Sequence, residues 1–253
     1  MSTNQSRPLS EEQVADYRRD GYLVVHDLLS AEEIDAFLAH QEIRQESWDI
    51  GLLSHTVDPQ WKTVATHPNV AGGAEQLLGA APRIVQSMYL PKKAGAKQPG
   101  IALHQDTHYL PTEPNTLMAC WIAMSDTGVE NGGLCVVPGS HLKPLRKTQQ
   151  ATSDEQVSWR MNYEMRDQDG KEWSEEFYSF EIEDLDPSSI AQLEVPAGGG
   201  VFFTGMTIHG SFGNPSATRD RLAFAVHYVG DGTWVYRADV QDTASVRELA
   251  QTV

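Results

Sequence analysis

The stretch RIVQSMYLPKKAGAKQPGIALHQDTHYL, residues 83–110, contains two short β-rich segments separated by a loop rich in turn-forming residues. Further segments of this kind follow as far as residue 230, and turns such as PTEPN and GNPSATRD separate them. Many short strands with such turns are typical of a β-sandwich or barrel. No long helical pattern lies between successive strands, which argues against a parallel βαβ sheet.

The N-terminal part of the chain carries two capping-box patterns, which favour helix starts. Ser10 with Gln13 opens SEEQVADYRRDG, and Ser30 with Glu33 opens SAEEIDAFLAHQEIRQ. The segment YLVVHDLL between them is predicted to be a short strand. PNVAGGAEQLLG, which ends at Gly79, is predicted to form a further helix. We therefore expect a helical N-terminal part over about 9–80.

The length of 253 residues fits one large domain with a sizeable core, or two small domains. We predict one domain over residues 1–253, with a barrel over about 82–230 and a C-terminal tail over 231–253. Residues 146–190 interrupt the strand pattern with a segment rich in acidic and aromatic side chains. Long insertions of this kind are usually functional or disordered. We expect a lid-like excursion, with a mobile acidic loop as the alternative.

The net charge of -16 disfavours nucleic acid as a partner, because phosphate binding needs a basic surface. It also disfavours anionic membrane surfaces. No apolar run approaches the roughly 20 residues that span a bilayer, and the polar start MSTNQSRPLSEEQ lacks the apolar core of a signal peptide. Cys120 and Cys135 are expected to be buried free thiols. These features predict a cytoplasmic protein, and they leave monomer and homodimer open.

The segment LHQDTHYL places His104, Asp106 and His108 at alternate positions. Side chains alternate across a strand, so these three are expected on one face, where imidazole and carboxylate can reach one cation. A facial triad of two histidines and one carboxylate needs another histidine from elsewhere. His209, which follows an apolar strand in FFTGMTIHGS, is the best candidate. The alternative is an incidental polar patch, since His-x-Asp alone is a weak signal.

The segment RDRLAFAVHY, residues 219–228, has a basic residue at the start of an apolar strand. Alternation places Arg221, Ala223, Ala225 and His227 on one face. An arginine whose neighbours on that face are small has room to bind a carboxylate through two hydrogen bonds. The alternative is an edge arginine that pairs with Asp220 or with solvent.

Three segments together resemble a known family: LHQDTHYL, CWIAMSDTGVENGGLCVVPGSH and HGSFGNPSATRDRLAFAVHY. They are similar to the phytanoyl-CoA dioxygenase family of Fe(II)- and 2-oxoglutarate-dependent oxygenases, as is the N-terminal LSEEQVADYRRDGYLVVHDLLSAEEI. The resemblance covers roughly 9–141 and 194–229, and it is weak or absent over 146–190 and after 230. It implies a mainly β fold with flanking α-helices, a double-stranded β-helix of the jelly-roll, cupin-like type.

The resemblance also implies the cofactors and the residues that hold them. His104, Asp106 and His209 would ligate Fe(II), and O2 and 2-oxoglutarate would be cosubstrates. Arg221 would bind the distal carboxylate of 2-oxoglutarate, with Arg219 as the second choice. The expected reaction is hydroxylation or a related oxidation of a small molecule, with release of succinate and CO2. Asp106 argues against halogenation, because related halogenases carry a small residue at that position.

Two further residues are implied near the cosubstrate. Ser211 in HGS would help to hold the distal carboxylate, and Trp121 matches the family's aromatic residue there, with a plain core tryptophan as the alternative. Candidates for the substrate pocket lie before and after the first metal ligand: Gln86, Met88, Tyr89 and His108. The basic loop LPKKAGAKQPG is expected either to contact an anionic group or to be a solvated turn; its lysines are Lys92, Lys93 and Lys97.

Two other functions remain open from the sequence. A cupin-like iron enzyme that does not use 2-oxoglutarate would share the barrel and the triad but would not need Arg221. A non-catalytic small-molecule binding protein on the same barrel would not need a metal.

Overall fold

The predicted helices after Ser10 and from Pro68 begin and end where the sequence places them, and the helix after Ser30 begins there. In the computed structural model, which describes residues 7–43, 51–96 and 98–252, the Ser10 side chain accepts a hydrogen bond from the Gln13 backbone N–H, and the Gln13 side chain accepts one from that of Ser10. Gly21, at φ 81°, ends this helix. The helices are α1 (Glu11–Asp20), α2 (Ala31–Ile43), α3 (Ser54–Val57), α4 (Pro59–Ala65), α5 (Pro68–Leu78) and α6 (Val246–Ala250).

The strands are short, as the turn-rich sequence requires. The first eight are β1 (Tyr22–Val25), β2 (Pro82–Tyr89), β3 (Ile101–His104), β4 (Thr112–Glu113), β5 (Met118–Ala123), β6 (Leu134–Val136), β7 (Thr148–Gln150) and β8 (Arg160–Arg166). The others are β9 (Glu172–Tyr178), β10 (Phe180–Ile182), β11 (Ala191–Gln192), β12 (Gly200–Thr204), β13 (His209–Ser211), β14 (Ala223–Gly230), β15 (Trp234–Val235) and β16 (Ala244–Ser245).

Two antiparallel sheets form the main architecture. The major sheet has the order β1-β12-β5-β14-β2-β16, and the minor sheet has the order β11-β6-β13-β3. Neighbouring strands come from distant parts of the sequence, as in a jelly roll. The prediction of a mainly β, double-stranded β-helix fold with flanking helices is confirmed, and the parallel sheet is ruled out.

Alternating side chains divide the major sheet into two faces. Phe224 and Tyr228 of β14 are fully buried against the helical layer, where Phe37 of α2 packs edge-on against Phe224. The opposite face carries Ala223 and Ala225, which cluster with apolar side chains of the minor sheet. The face between the sheets is therefore lined by small residues on β14, and this leaves space for larger polar groups.

The insertion at 146–190 folds back onto the barrel. Strands β8 and β9 form a hairpin and β7 pairs with β10, and just after the insertion β11 joins the minor sheet. The hairpin contributes to an aromatic cluster that also includes Tyr109 and Tyr236. The C-terminal residues add β16 to the edge of the major sheet, beside β2. In the described part of the chain, no helix has the length and apolarity needed to cross a bilayer.

Candidate metal and cosubstrate site

Three predicted metal-binding side chains meet between the two sheets. His104 ends β3 and lies opposite His209, which begins β13. Asp106 lies on a turn of 3-10 helix over Asp106–His108, immediately after β3. The expectation that Asp106 and His108 continue the strand alternation of His104 is therefore wrong. The strand ends first, and the turn brings the Asp106 carboxylate to the same point.

The ligand atoms of this triad are close together and buried. Asp106 Oδ1 lies 3.4 Å from His104 Nε2 and 3.6 Å from His209 Nε2. One ligand atom from each residue falls within 4.8 Å of the others. The two imidazole rings lie 4.4 Å apart between centroids. One cation placed among the three groups would contact all of them.

Backbone carbonyls fix the orientation of both imidazoles. His104 Nδ1 lies 2.7 Å from the Ala102 carbonyl oxygen, and His209 Nδ1 lies 3.0 Å from that of Thr207. A carbonyl only accepts, so each Nδ1 carries a proton, and in the neutral imidazole the lone pair is then on Nε2. Metal-binding histidines commonly have this second hydrogen bond.

The protonation states of Asp106 and His209 are those that metal binding requires. Burial opposes ionisation of Asp106 and would raise its pKa. The electrostatic effects of His209 and His227, with hydrogen bonds from His104 and His227, outweigh burial. The pKa of the Asp106 carboxyl therefore lies well below its usual range. Burial lowers the pKa of His209 to about 4. An anionic carboxylate beside a neutral imidazole is the protonation state in which both coordinate a cation.

A second, cationic region is linked to the triad by β13, which carries both His209 and Ser211. Arg221 is 3% exposed, and its Nη1 and Nε donate to the carbonyl oxygens of Leu90 and Gly132 at 2.7 and 3.2 Å. Its guanidinium carbon lies 5.8 Å from the Trp121 ring centroid. Burial lowers its pKa to about 10, so Arg221 stays charged at neutral pH. Among the described residues, no carboxylate pairs with it.

Lys92 belongs to the same region, although the sequence placed it only in a basic loop. It is 5% exposed, and its Nζ donates to Ser211 Oγ at 2.8 Å and to the Phe212 carbonyl oxygen at 2.5 Å. Burial, with a contribution from Arg221, lowers its pKa to about 7. Two buried cations without a carboxylate partner form a site for an anion.

Neighbouring basic residues are turned away from this region. Arg219 is paired with Glu130 at 2.7 Å and about half exposed, and Lys93 is paired with Asp220 at 2.9 Å. Arg221 is therefore the arginine of this cationic region, and Arg219 is not. Asp220, the partner considered for an edge arginine, is engaged elsewhere. The third lysine of the loop, Lys97, lies outside the described residues.

Comparisons with known proteins agree with this geometry. The family model described as phytanoyl-CoA dioxygenase matches residues 17–223. The chain belongs to the phytanoyl-CoA dioxygenase family. A "Phytanoyl-CoA dioxygenase" of Arabidopsis thaliana is 28% identical over 204 residues, which cover 76% of this chain and 63% of that protein. "Phytanoyl-CoA dioxygenase 1" of Oryza sativa subsp. japonica is 30% identical over 184 residues, covering 71% and 56%. The chain thus spans about three fifths of the length of these relatives.

Two solved structures extend the likeness to three dimensions. The epimerase SnoN, in complex with Fe3+, alpha ketoglutarate and nogalamycin RO, has a TM-score of 0.67 and 25% identity, with 90% of this chain and 85% of that chain covered. The non-heme alpha ketoglutarate dependent carbocyclase SnoK, from nogalamycin biosynthesis, has a TM-score of 0.67 and 27% identity, covering 92% and 88%.

The four predicted pocket residues of this phytanoyl-CoA dioxygenase family member are not equally placed. Gln86 is 5% exposed, and its Nε2 lies 3.4 Å from His227 Nδ1. Met88 packs beside the inner cluster between the sheets. Tyr89 as a pocket residue is wrong. It follows Met88 on a strand, faces the helical layer and packs edge-on against Phe37 at 5.7 Å.

His108, the fourth candidate, is close to the triad but has its own contacts. Its Nε2 lies 3.0 Å from the Arg146 carbonyl oxygen, and its ring lies 5.2 Å from that of Phe180. Burial lowers its pKa. His108 therefore lies where the insertion meets the turn that carries Asp106.

Two histidines of the helical part are buried. His55 is 1% exposed, its Nδ1 lies 3.1 Å from Ser87 Oγ, and burial lowers its pKa to about 4. His67 is 5% exposed and lies 3.1 Å from Glu33. Both histidines belong to the buried part of the helical layer of this family member. The expectation of free thiols at Cys120 and Cys135 is confirmed, and both are buried.

Proposed function

We propose that this chain is an Fe(II)- and 2-oxoglutarate-dependent dioxygenase. It would hydroxylate or otherwise oxidise a small organic molecule and release succinate and CO2. The observation that carries the proposal is the pairing of a His-Asp-His cluster with a buried cationic site made by Arg221 and Lys92. A metal ion and a dianionic oxo acid are the two ligands that this pair of sites fits.

The donor set suits iron. Two neutral imidazole nitrogens and one carboxylate oxygen form the facial triad of non-haem Fe(II) oxygenases, which leaves coordination positions open. His104, Asp106 and His209 supply these atoms, and the backbone carbonyls of Ala102 and Thr207 hold the imidazoles in the coordinating tautomer. The residues present therefore fit the ion.

The cationic site suits the distal carboxylate of 2-oxoglutarate. Arg221 offers a planar guanidinium beside the Trp121 ring, and Lys92 offers an ammonium held by Ser211. A carboxylate there gains charge-assisted hydrogen bonds in a dry environment, where they are strong. Trp121 forms one wall, and Ser211 orients Lys92 toward the shared anion.

The chemistry divides between the bound groups and the protein. When bound, Fe(II) and 2-oxoglutarate reduce O2, the oxo acid is decarboxylated to succinate and CO2, and the substrate is oxidised. The protein holds the carboxylate ligand anionic and the imidazoles neutral, fixes 2-oxoglutarate by its far end and excludes water from the apolar interior. Asp106 occupies the position that halogenases leave open, so we propose oxidation and not halogenation.

The substrate is proposed only as a small organic molecule. SnoN is an epimerase and SnoK a carbocyclase, and such outcomes are consistent with an oxidation other than hydroxylation here. Gln86, Met88 and His108 are the proposed pocket residues. The charge of -16 supports no nucleic-acid or anionic-membrane partner. We also propose a single domain over 1–253, a cytoplasmic location and a monomer or homodimer.

Anaerobic titration with Fe(II) and 2-oxoglutarate tests the function, through the weak visible charge-transfer band of the chelate. The wild type should develop the band, His209→Ala should lose it, and Arg221→Ala should need far more 2-oxoglutarate. An iron enzyme independent of 2-oxoglutarate would be insensitive to Arg221→Ala. A folded wild type that binds neither iron nor 2-oxoglutarate would favour the binding-protein alternative.

A further inference from the structure

A buried chain of hydrogen bonds leads away from the triad into the major sheet. Asp106 Oδ2, the carboxylate oxygen that does not face the two metal-binding histidines, lies 3.1 Å from His227 Nε2. His227 Nδ1 lies 3.4 Å from Gln86 Nε2. All three residues are at most 5% exposed, so water does not compete for these contacts.

The sheet itself assembles this chain. His227 on β14 and Gln86 on β2 are direct partners in the antiparallel register. The register shifts between His227 and Tyr228 because Val85 is an extra residue on β2 opposite this step. The regular alternation of β14 directs His227 to the face between the sheets, where it contacts Asp106, while Tyr228 reaches the Ala65 carbonyl oxygen in the helical layer.

Hydrogen-bond chemistry gives the chain a direction. The ionised Asp106 carboxylate only accepts, so His227 Nε2 must carry the proton. Gln86 Nε2 lies 3.4 Å from Nδ1, and an amide NH2 only donates, so Nδ1 is the acceptor. Gln86 thus donates to His227, and His227 donates to Asp106. The Gln86 Oε1 atom consequently points away from the imidazole, and it has no hydrogen-bond partner among the described residues.

We propose that His227 and Gln86 are positioning residues for the Asp106 ligand, a role that rests on the proposed metal site. His227 occupies Oδ2 and leaves Oδ1, the oxygen near His104 and His209, for the metal. Asp106 would then bind through one oxygen only, which keeps the other coordination positions free for 2-oxoglutarate and O2. Gln86 fixes the His227 tautomer and so acts one step further out.

The test measures metal affinity and coordination without turnover. Co(II), a stable and spectroscopically visible substitute, is titrated anaerobically into the full chain, and its dissociation constant and visible absorption spectrum are recorded. His227→Leu removes the donor, whereas His227→Gln keeps an N–H at a similar reach. His55→Leu is the matched control, because His55 is an equally buried histidine that bonds Ser87 on the outer side of the sheet.

We expect His227→Leu to weaken Co(II) binding by roughly 10- to 100-fold, as for other groups that support metal ligands. His227→Gln should recover most of this loss, and His55→Leu should leave the affinity within about twofold of wild type, since it lies outside the network. The spectrum of His227→Leu should change as Oδ2 becomes free to coordinate. A merely structural histidine would alter thermal stability without changing either readout.

Gln86→Leu provides a second route if His227→Leu does not fold. It should weaken Co(II) binding in the same direction by a smaller factor, and the loss should not add to that of His227→Gln, because both act through one imidazole. Wild-type Co(II) affinity and an unchanged spectrum in folded His227→Leu or Gln86→Leu would overturn the proposal. Intact Co(II) binding without 2-oxoglutarate binding would contradict the proposed function alone.

Discussion

Replacing Lys92 by methionine should weaken 2-oxoglutarate binding and stabilise the ligand-free protein at the same time. Burial and Arg221 lower the pKa of Lys92 from 10.5 to about 7. At about 1.4 kcal/mol for each tenfold change in acidity, charging this amine at pH 6 costs the folded protein up to about 5 kcal/mol. Lys92→Met removes that cost, and it also removes the ammonium that the distal carboxylate needs.

Lys92→Met should weaken 2-oxoglutarate binding but raise stability. This combination distinguishes a lysine that binds the ligand from one that only packs in the core. Loss of one charge-assisted hydrogen bond, roughly 1.5–3 kcal/mol, should weaken 2-oxoglutarate binding by about 10- to 100-fold. Calorimetric titration of the Fe(II)-loaded protein without O2 measures this, and a thermal melt at pH 6 measures stability. Lys93→Met is the control, since Lys93 is half exposed and paired with Asp220.

The pH dependence follows from the same amine. Free protein loses the Lys92 proton above about pH 7, whereas the bound carboxylate should raise the pKa and retain it. Wild-type affinity for 2-oxoglutarate should therefore fall as pH rises above 7, and the Lys92→Met affinity should not. Arg221 stays charged throughout, and Cys135, the other group that influences Lys92, is a neutral thiol there because burial raises its pKa to about 11. Equal pH profiles, or a destabilised Lys92→Met, would refute this reasoning.

Three further changes test other parts of the structure. Asp106→Ala should abolish tight Fe(II) binding in equilibrium dialysis while the barrel stays folded by circular dichroism; retention of iron would remove Asp106 from the ligand set. Wild-type stability should fall as pH drops from about 6.5 towards 4, because unfolded His55 takes up a proton that the folded residue, with its pKa near 4, resists. His55→Leu should flatten that part of the urea-denaturation profile, and an unchanged slope would contradict the assignment. Gly21→Ala should lower the free energy of unfolding by roughly 2 kcal/mol or more. Gly21 has φ 81°, and an added methyl would meet the His141 ring and Thr207. A neutral effect in urea denaturation would show that this turn relaxes.

Periodicity and caps were the parts of the sequence that predicted structure well. The alternation in RLAFAVHY assigned Ala223, Ala225 and His227 to one face and Phe224 to the other, as found. The capping boxes located α1 and α2 to within a residue of their starts. Strand alternation and helix capping depend only on residues close together in the sequence, so the sequence alone predicts them.

Predictions failed where one element ended and another began. Asp106 reaches the site from a 3-10 turn and not from the strand, so the triad was identified by its residue types despite a wrong backbone assumption. Tyr89 was placed in the pocket, although alternation from Gln86 and Met88 turns it outward. The same alternation, continued through Leu90 to Lys92, would have directed that lysine inward, but the turn residues around it suggested a solvated loop.

Tyr109 links the insertion to His104, one of the proposed iron ligands. Its ring lies 5.2 Å from His104 and 4.7 Å from Phe180, and its hydroxyl accepts a hydrogen bond from the Phe180 backbone N–H at 2.8 Å. The insertion is therefore not a cassette that can be exchanged between relatives by cutting at residues 146 and 190. A chimera that imports a foreign insertion must also import the residue that replaces Tyr109, because this one side chain belongs to both parts.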